Sequence, residues 1–306
     1  MKELWVEKYR PKTVADYVFR DNDQKKQVNG FIKDGTIPHL LLSGSPGIGK
    51  TTLSKILIEA IGVSDYDVLE VNASRETGID FIRDKIIPFI SMIPFGPFKV
   101  VLLDEADRLS QQAQDSLKGI IEEYSAHARF ILTCNTPSRI GTAIKSRCQQ
   151  FHFSSIDQTE FTARAATILV EEGIDFDLDR LDTYVKSVYP DLRKCINLLQ
   201  QNSIDGALVD PKAEDSGVSD YKVEMVELFK AGKIQAARKL LCGRAQAHEM
   251  EDIYTWMYQN IDLFGKTDEI KDSALLIIKQ GLVDNALIAD PEINLAATLI
   301  KLARLQ

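Results

Sequence analysis

Short apolar runs alternate with helix-like segments over the first half of the chain. His39-Leu40-Leu41-Leu42-Ser43 has the pattern of a buried strand and passes through a Gly-rich turn into a helical pattern from Lys50 to Ile61. Asp67-Val68-Leu69-Glu70-Val71-Asn72, Lys99-Val100-Val101-Leu102-Leu103-Asp104 and Arg129-Phe130-Ile131-Leu132-Thr133-Cys134-Asn135 are further strand-like runs. Near-continuous Val/Leu/Ile strands separated by helices predict a parallel sheet covered on both faces. Such sheets bind ligands at the carboxyl ends of their strands. From about residue 155 the pattern is helical throughout. Leu192, Cys195, Ile196 and Leu199 recur at helical spacing in a segment that starts near Pro190. Ser203 to Asp220, with Gly206, Pro211 and Gly217, reads as a linker. Amphipathic helices follow, including Ile253 to Phe264 and Ile293 to Leu305. The expected division is an α/β core over 1–153, a small helical lid over 154–206 and an all-helical domain over 216–306.

Composition changes this picture little. The chain has 306 residues, 44% hydrophobic and 27% charged, as an ordinary globular protein does. It has no apolar stretch of roughly 20 residues and no signal-peptide core at its start, so a cytoplasmic protein with no membrane partner is expected. Cys134, Cys148, Cys195 and Cys242 form no Cys-x-x-Cys pair, and the four histidines are scattered. The cysteines therefore read as small core residues, without a zinc site. The net charge of −8 is distributed unevenly: residues 1–152 carry 20 Lys and Arg against 19 Asp and Glu, and residues 153–306 carry 17 against 26. Any nucleic acid would meet a local patch of the first half.

The chemistry lies at the strand ends. Gly44-Ser45-Pro46-Gly47-Ile48-Gly49-Lys50-Thr51 fits the P-loop pattern, in which glycines let backbone amides point at phosphate oxygens ahead of a helix N-terminus. Ser45, Pro46, Gly47, Ile48, Gly49 and Thr52 are candidate ATP contacts beside Lys50, which reaches the β- and γ-phosphates. The Thr51 hydroxyl is a candidate Mg²⁺ ligand. Leu102-Leu103-Asp104-Glu105-Ala106-Asp107 supplies the second half of such a site, with Asp104 as a metal ligand and Glu105 polarising the attacking water. No Asn-Lys-x-Asp motif for guanine is present.

Together these residues resemble the AAA+ ATPases, and within them the clamp-loader subunits, over roughly residues 5–205. The resemblance implies an α/β P-loop AAA+ core, a helical lid and a C-terminal helical collar. Trp5-Val6-Glu7-Lys8-Tyr9-Arg10-Pro11-Lys12-Thr13 is similar to the opening of replication factor C small subunits, in which this segment lies against adenine. Tyr9, Arg10 and Pro11 are then implied ATP contacts, although an arm that merely packs on the core fits the same residues. Asn135 is similar to sensor 1, which orients the attacking water, and a turn-forming Asn fits the position too. Ser146-Arg147-Cys148 resembles the triplet whose arginine enters the neighbouring subunit's ATP site. A planar cation suits charge developing on a transferring phosphoryl group, and a surface arginine is the plain alternative. Asp191-Leu192-Arg193-Lys194 is similar to the sensor 2 segment, so Arg193 is either a γ-phosphate contact or a salt-bridging helix residue.

The resemblance also implies partners. Asn72 to Arg83 is similar to a family stretch facing the inside of the loader spiral, and Arg75, Arg83, Arg108, Ser110 and Lys118 are the candidate DNA contacts. Contacts of this kind hold phosphates without reading sequence, which fits a protein acting on any primer-template DNA. Each of these residues alone is also an ordinary solvated one. Gln114 is the candidate coupler between DNA and Glu105. The apolar run Ile86 to Phe95 is either buried core or, as in related loaders, a sliding-clamp dock with Phe89, Met92 and Ile93 as anchors. Copies of the chain with one non-identical subunit, in a pentamer, complete the expected assembly. The short length, Tyr189 to Lys194 and the ending Ala289 to Ala296 are similar to loaders of T-even-type bacteriophages, which would place the protein in an infected cell's cytoplasm. The rivals are another AAA+ machine, such as a helicase loader or branch-migration motor, and a non-catalytic scaffold subunit.

Overall fold

A computed structural model describes residues 3–153, 156–209, 221–244, 249–265 and 267–305. They fall into two compact units. The first comprises residues up to Ile168 together with Pro190–Asn197, and the second comprises Leu169–Tyr189 and the chain from Leu198 onward.

The first unit is built on five parallel strands: β1 (Leu40–Gly44), β2 (Val68–Asn72), β3 (Lys99–Asp104), β4 (Ala128–Cys134) and β5 (Gln149–Phe153), in the order β2-β3-β4-β1-β5. Four of them are the expected apolar runs, with ends shifted by at most a residue. β5 is an addition. It lies at a sheet edge, and of Gln149-Gln150-Phe151-His152-Phe153 only the two phenylalanines are buried. β1 is buried along its whole length, as a central strand covered on both faces must be. Leu41, Leu103, Phe130 and Leu132 of the sheet pack with Ile82, Ile86, Leu117 and Ile121 of the helices on one face.

Two of those helices differ in how they begin and bend. Gln111–Glu123 starts at Ser110, whose hydroxyl accepts from Ala113 N at 3.2 Å. The other runs from Ile79 to Ser91 and widens into a π turn over Ile82–Ile86. Pro88, which has no amide to donate, lies just beyond it.

A buried ion pair fixes the loop after that helix. Lys99 Nζ donates to Asp67 Oδ1 at 3.0 Å, and both side chains are almost wholly inaccessible. The same carboxylate accepts from Phe95 N at 3.1 Å and Gly96 N at 2.7 Å. Burial works to raise the Asp67 pKa, but the hydrogen bonds from Gly96, Lys99 and Phe95 and the lysine charge outweigh it and hold it below the usual carboxylate range. The stabilisation this supplies is present above the ordinary carboxylate pKa and is lost as pH falls through the lowered one. Asp67→Asn leaves Lys99 as an uncompensated buried charge and is expected to cost about 3–5 kcal/mol, read by chemical denaturation.

The second unit is helical apart from a small hairpin. The helices Tyr221–Lys230, Ile234–Arg244, Met250–Gln259, Asp268–Asn285 and Pro291–Ala303 enclose Met225, Phe229, Leu241, Ile253, Tyr254 and Leu299, and the helix Leu178–Val188 packs on Tyr221–Lys230. Lys230 Nζ ties these last two together, donating to Asp182 Oδ2 at 2.6 Å and to Thr183 Oγ1 at 2.9 Å. Ser203–Leu208, expected as the start of a linker, is instead a two-stranded hairpin. Its turn residues Asp205 and Gly206 both have positive φ, as the tight turn that matches strand twist requires. The rest of the expected linker, 210–220, lies outside the described residues. Among the described residues no helix is long and apolar enough to cross a membrane.

Candidate nucleotide site

β1, β3 and β4 are neighbours or near neighbours running the same way, so their carboxyl ends converge on one edge of the sheet. The P-loop leaves β1 with Gly44 at φ 148°, Gly47 at 75° and Gly49 at 90°, and enters the helix Lys50–Ile61. The helix N-terminus thus faces the loop's interior, where it favours an anion.

Lys50 is buried and spans the site. Its Nζ donates to Gly44 O at 2.8 Å, to Ser45 O at 2.7 Å and to Asn135 Oδ1 at 2.9 Å, joining the P-loop to the end of β4. Burial lowers its pKa to about 8; the nearby Arg193 charge adds to this, and Cys134, Asp104 and Asp107 oppose it. Bound phosphates would raise it again. Thr51 Oγ1 donates to Asp104 Oδ1 at 2.8 Å, and the Thr133 hydroxyl donates to the same oxygen. Thr133 Oγ1 in turn accepts from Glu105 N at 3.2 Å. Glu105 has φ 56° and ψ 41°, a left-handed conformation uncommon for a residue with a side chain. Strain of this kind costs about 1–3 kcal/mol and persists where surrounding contacts enforce it. The buried Asp107 carboxylate accepts from Asn135 N at 3.4 Å and Thr136 N at 3.0 Å, fixing the backbone that carries Asn135.

Beside the phosphate loop lies a largely apolar cleft. It is lined by Val6, Tyr9, Arg10 and Pro11 of the N-terminal arm, by Tyr17 and Val18, by Gly47, Ile48, Gly49 and Thr52, and by Ile156, Leu192, Arg193 and Ile196. Arg164 Nη2 donates to Tyr9 O at 3.1 Å and holds the arm in place. Tyr17 packs on Gly49 and donates its hydroxyl to Ile48 O at 3.4 Å. Gly47 is the tightest point: a β-carbon there would lie 1.8 Å from Asp191 Oδ1. Asp191 caps its own helix by accepting from Lys194 N at 2.9 Å, so it has little freedom to yield. Gly47→Ala therefore meets both a clash and about 1–2 kcal/mol of left-handed strain. It should weaken ATP binding by about ten-fold in a titration with a fluorescent analogue.

The structure thus brings Lys50, Thr51, Asp104, Glu105 and Asn135 into one cluster and sets Tyr9, Arg10, Pro11 and Arg193 around the adjoining cleft. Arg147 lies elsewhere in the unit, with Nε donating to Glu122 Oε1 at 2.8 Å and Nη1 to Ala143 O at 2.7 Å. Arg75, Arg83, Arg108, Ser110 and Lys118 are all exposed. Ser110 N donates to Thr77 O at 2.9 Å, joining the loops that carry Arg75 and Arg108, while Arg83 and Lys118 lie on the two packed helices. Gln114 is buried, donating to Leu109 O at 3.3 Å and Arg139 O at 3.0 Å and accepting from Gly141 N at 2.8 Å. In the apolar run, Phe89 turns inward against the core with Lys99 Nζ 4.4 Å from its ring centre. Met92, Ile93 and Phe95 are exposed, and Phe95 pairs with the exposed Tyr66. Tyr17, Thr133 and Asp107 escaped the sequence reading. The signals for the last two were the Thr-Cys-Asn strand end and the third acid of Asp104-Glu105-Ala106-Asp107.

A phosphate loop after β1, an Asn just past the adjacent strand β4 and an acid-ended strand β3 beyond it define a P-loop ATPase of the AAA class. The family model for the ATPase family associated with various cellular activities (AAA) matches residues 40–156. The replication factor C small subunit of Sulfurisphaera tokodaii is 37% identical over 98% of this chain and 95% of its own length. That of Archaeoglobus fulgidus is 36% identical over 99% and 98%. The chain belongs to the replication factor C small-subunit family and is a clamp-loader ATPase subunit. These relatives are archaeal and lend the phage-like reading of its ending no support. Among solved structures, the Thermotoga maritima RuvB Holliday junction branch migration motor aligns with TM-score 0.55 and 16% identity, over 76% of this chain and 85% of that one. At that identity the likeness is one of fold.

Proposed function

We propose that this subunit binds Mg-ATP at its own P-loop, completes a neighbour's site with Arg147, and works on a sliding clamp and primer-template DNA in a pentamer with a non-identical subunit. In this reading residues 1–153 are the ATPase domain, 154–206 the lid and 216–306 the collar through which copies assemble in the cytoplasm. The oxygen donors Thr51 and Asp104 suit a hard cation such as Mg²⁺. They would hold it, and the ion would neutralise charge on the β- and γ-phosphates. Lys50 binds the phosphates, Asn135 and Glu105 orient and polarise the attacking water, and the apolar cleft between Tyr9, Pro11, Ile48 and Leu192 takes the base. Arg193 reaches the γ-phosphate from the same chain. The exposed cations Arg75, Arg83, Arg108 and Lys118, with Ser110, follow DNA phosphates, and Gln114 links their helix to the loop beyond Asn135. Met92 and Ile93 dock on the clamp, and Phe89 supports them from beneath.

The observation that carries this reading is the division of the catalytic set. At the strand ends Lys50 bonds Asn135, and Thr51 and Asp104 are joined to Glu105 through Thr133, while the cation that would stabilise the transferring phosphoryl group is anchored at Glu122 and Ala143. A finger given to a neighbour demands a head-to-tail assembly. The test is retention of a labelled clamp on primed circular DNA by the native complex. ATP-dependent loading that is lost with Lys50→Ala supports the proposal, and loading by the Lys50→Ala complex overturns it.

A further inference from the structure

The helix Gln111–Glu123 packs against the short helix Thr142–Lys145 and holds that segment at both ends. At one end Gln114 Oε1 accepts from Gly141 N at 2.8 Å. At the other, Glu122 Oε1 accepts from Arg147 Nε at 2.8 Å and also from Nη2. Arg147 Nη1 donates to Ala143 O at 2.7 Å and makes a long contact of 3.4 Å with Ser146 Oγ. A guanidinium carries five N–H donors in a planar fork. Glu122 occupies the side edge made by Nε and Nη2, and the Ala143 carbonyl takes one Nη1 hydrogen. The end edge, made by the two terminal nitrogens, is the other face able to grip an anion in two places.

We infer that Glu122 is a positioning residue for Arg147, setting the plane of its guanidinium so that the end edge is presented to the phosphoryl group bound by the adjacent subunit. The inference rests on Arg147 acting in trans. The physical reason is entropic: a long side chain next to solvent samples many rotamers, and each must be given up when it engages a phosphate. Glu122 settles the rotamer beforehand. The pair opens to solvent on the Glu122 side: 57% of the Glu122 side chain is accessible, and Arg147 is partly buried at 24%. A pair of that kind adds little to folding stability, so its effect on catalysis is separable from any effect on the fold.

The test is steady-state ATP hydrolysis by the assembled complex with clamp and primed DNA, resolved into kcat and KM. Glu122→Ala is expected to lower kcat by about ten-fold, since small misplacements of a catalytic group are costly. KM should stay within about two-fold, as for an interaction made in the transition state. Glu122→Gln keeps an acceptor oxygen and should lose no more than about three-fold, which also covers the case in which the alanine variant fails to fold. In an Arg147→Ala background, Glu122→Ala should add no further loss. Unchanged or raised kcat in Glu122→Ala, or a further loss in the Arg147→Ala background, overturns the inference. If Arg147→Ala alone leaves hydrolysis intact, the trans-acting finger itself fails, and that result differs from a silent Glu122→Ala beside an inactive Arg147→Ala.

Discussion

Arg147→Ala should lower the kcat of the assembled complex by about 10³–10⁵ while ATP still binds, since arginine fingers elsewhere contribute on that scale. The physical basis is a cation brought into a dry interface just where negative charge develops on the phosphoryl oxygens. Its loss should hardly register in stability, because its ion-pair partner Glu122 is exposed to solvent; a thermal scan should move by no more than about 2 °C. Arg147→Lys keeps the charge without the fork and should restore only part of the activity. The measurement is single-turnover hydrolysis in the complex, with nucleotide binding followed in parallel. Full activity in Arg147→Ala would mean that each subunit completes its own site.

Glu105→Gln is the second large effect, a loss of about 10²–10⁴ in hydrolysis, the usual contribution of a positioned general base. Two features of the structure make it a clean test. Glu105 sits in the left-handed region, held there by the hydrogen bond its backbone N–H donates to Thr133 Oγ1, and glutamine accepts the same backbone with the same strain. Lys50, Thr51 and Asp104 keep their contacts, so ATP affinity should change by less than about three-fold. The complex should then bind clamp and DNA in an ATP state that does not turn over. Equilibrium nucleotide binding together with phosphate release separates these outcomes. A Glu105→Gln complex that hydrolyses at the parent rate would remove Glu105 from the mechanism.

Much of the fold and of the nucleotide site is legible in the sequence because it is encoded locally. A P-loop states its own backbone geometry through glycines at fixed spacing. β3 announces its end by changing from Val100-Val101-Leu102-Leu103 to Asp104-Glu105. What escapes is created by strands meeting across the sheet. Thr133 lies within an apolar run, and only the pairing of β4 with β3 brings its hydroxyl to Asp104 and Glu105. Tyr17 precedes the first long helix, and only tertiary packing sets its ring against Gly49. β5 is hidden for a different reason: an edge strand needs one apolar face, and two phenylalanines in five residues make a weak signal. The run Ile86 to Phe95 is apolar almost throughout, so it cannot say which side chains point inward. The fold decides, burying Ile86 and Ile90 and leaving Met92, Ile93 and Phe95 outside. Glu122 has no local mark at all, being one of two adjacent acids at a helix end.

The most direct test of the central claim is steady-state ATP hydrolysis by the complex purified with its native partners, with and without sliding clamp and primer-template DNA. Strong stimulation that requires both, and that disappears in Arg147→Ala, is the expected result. Turnover indifferent to clamp and DNA would contradict the account and point to another AAA machine, and no turnover under any condition would leave the chain a scaffold.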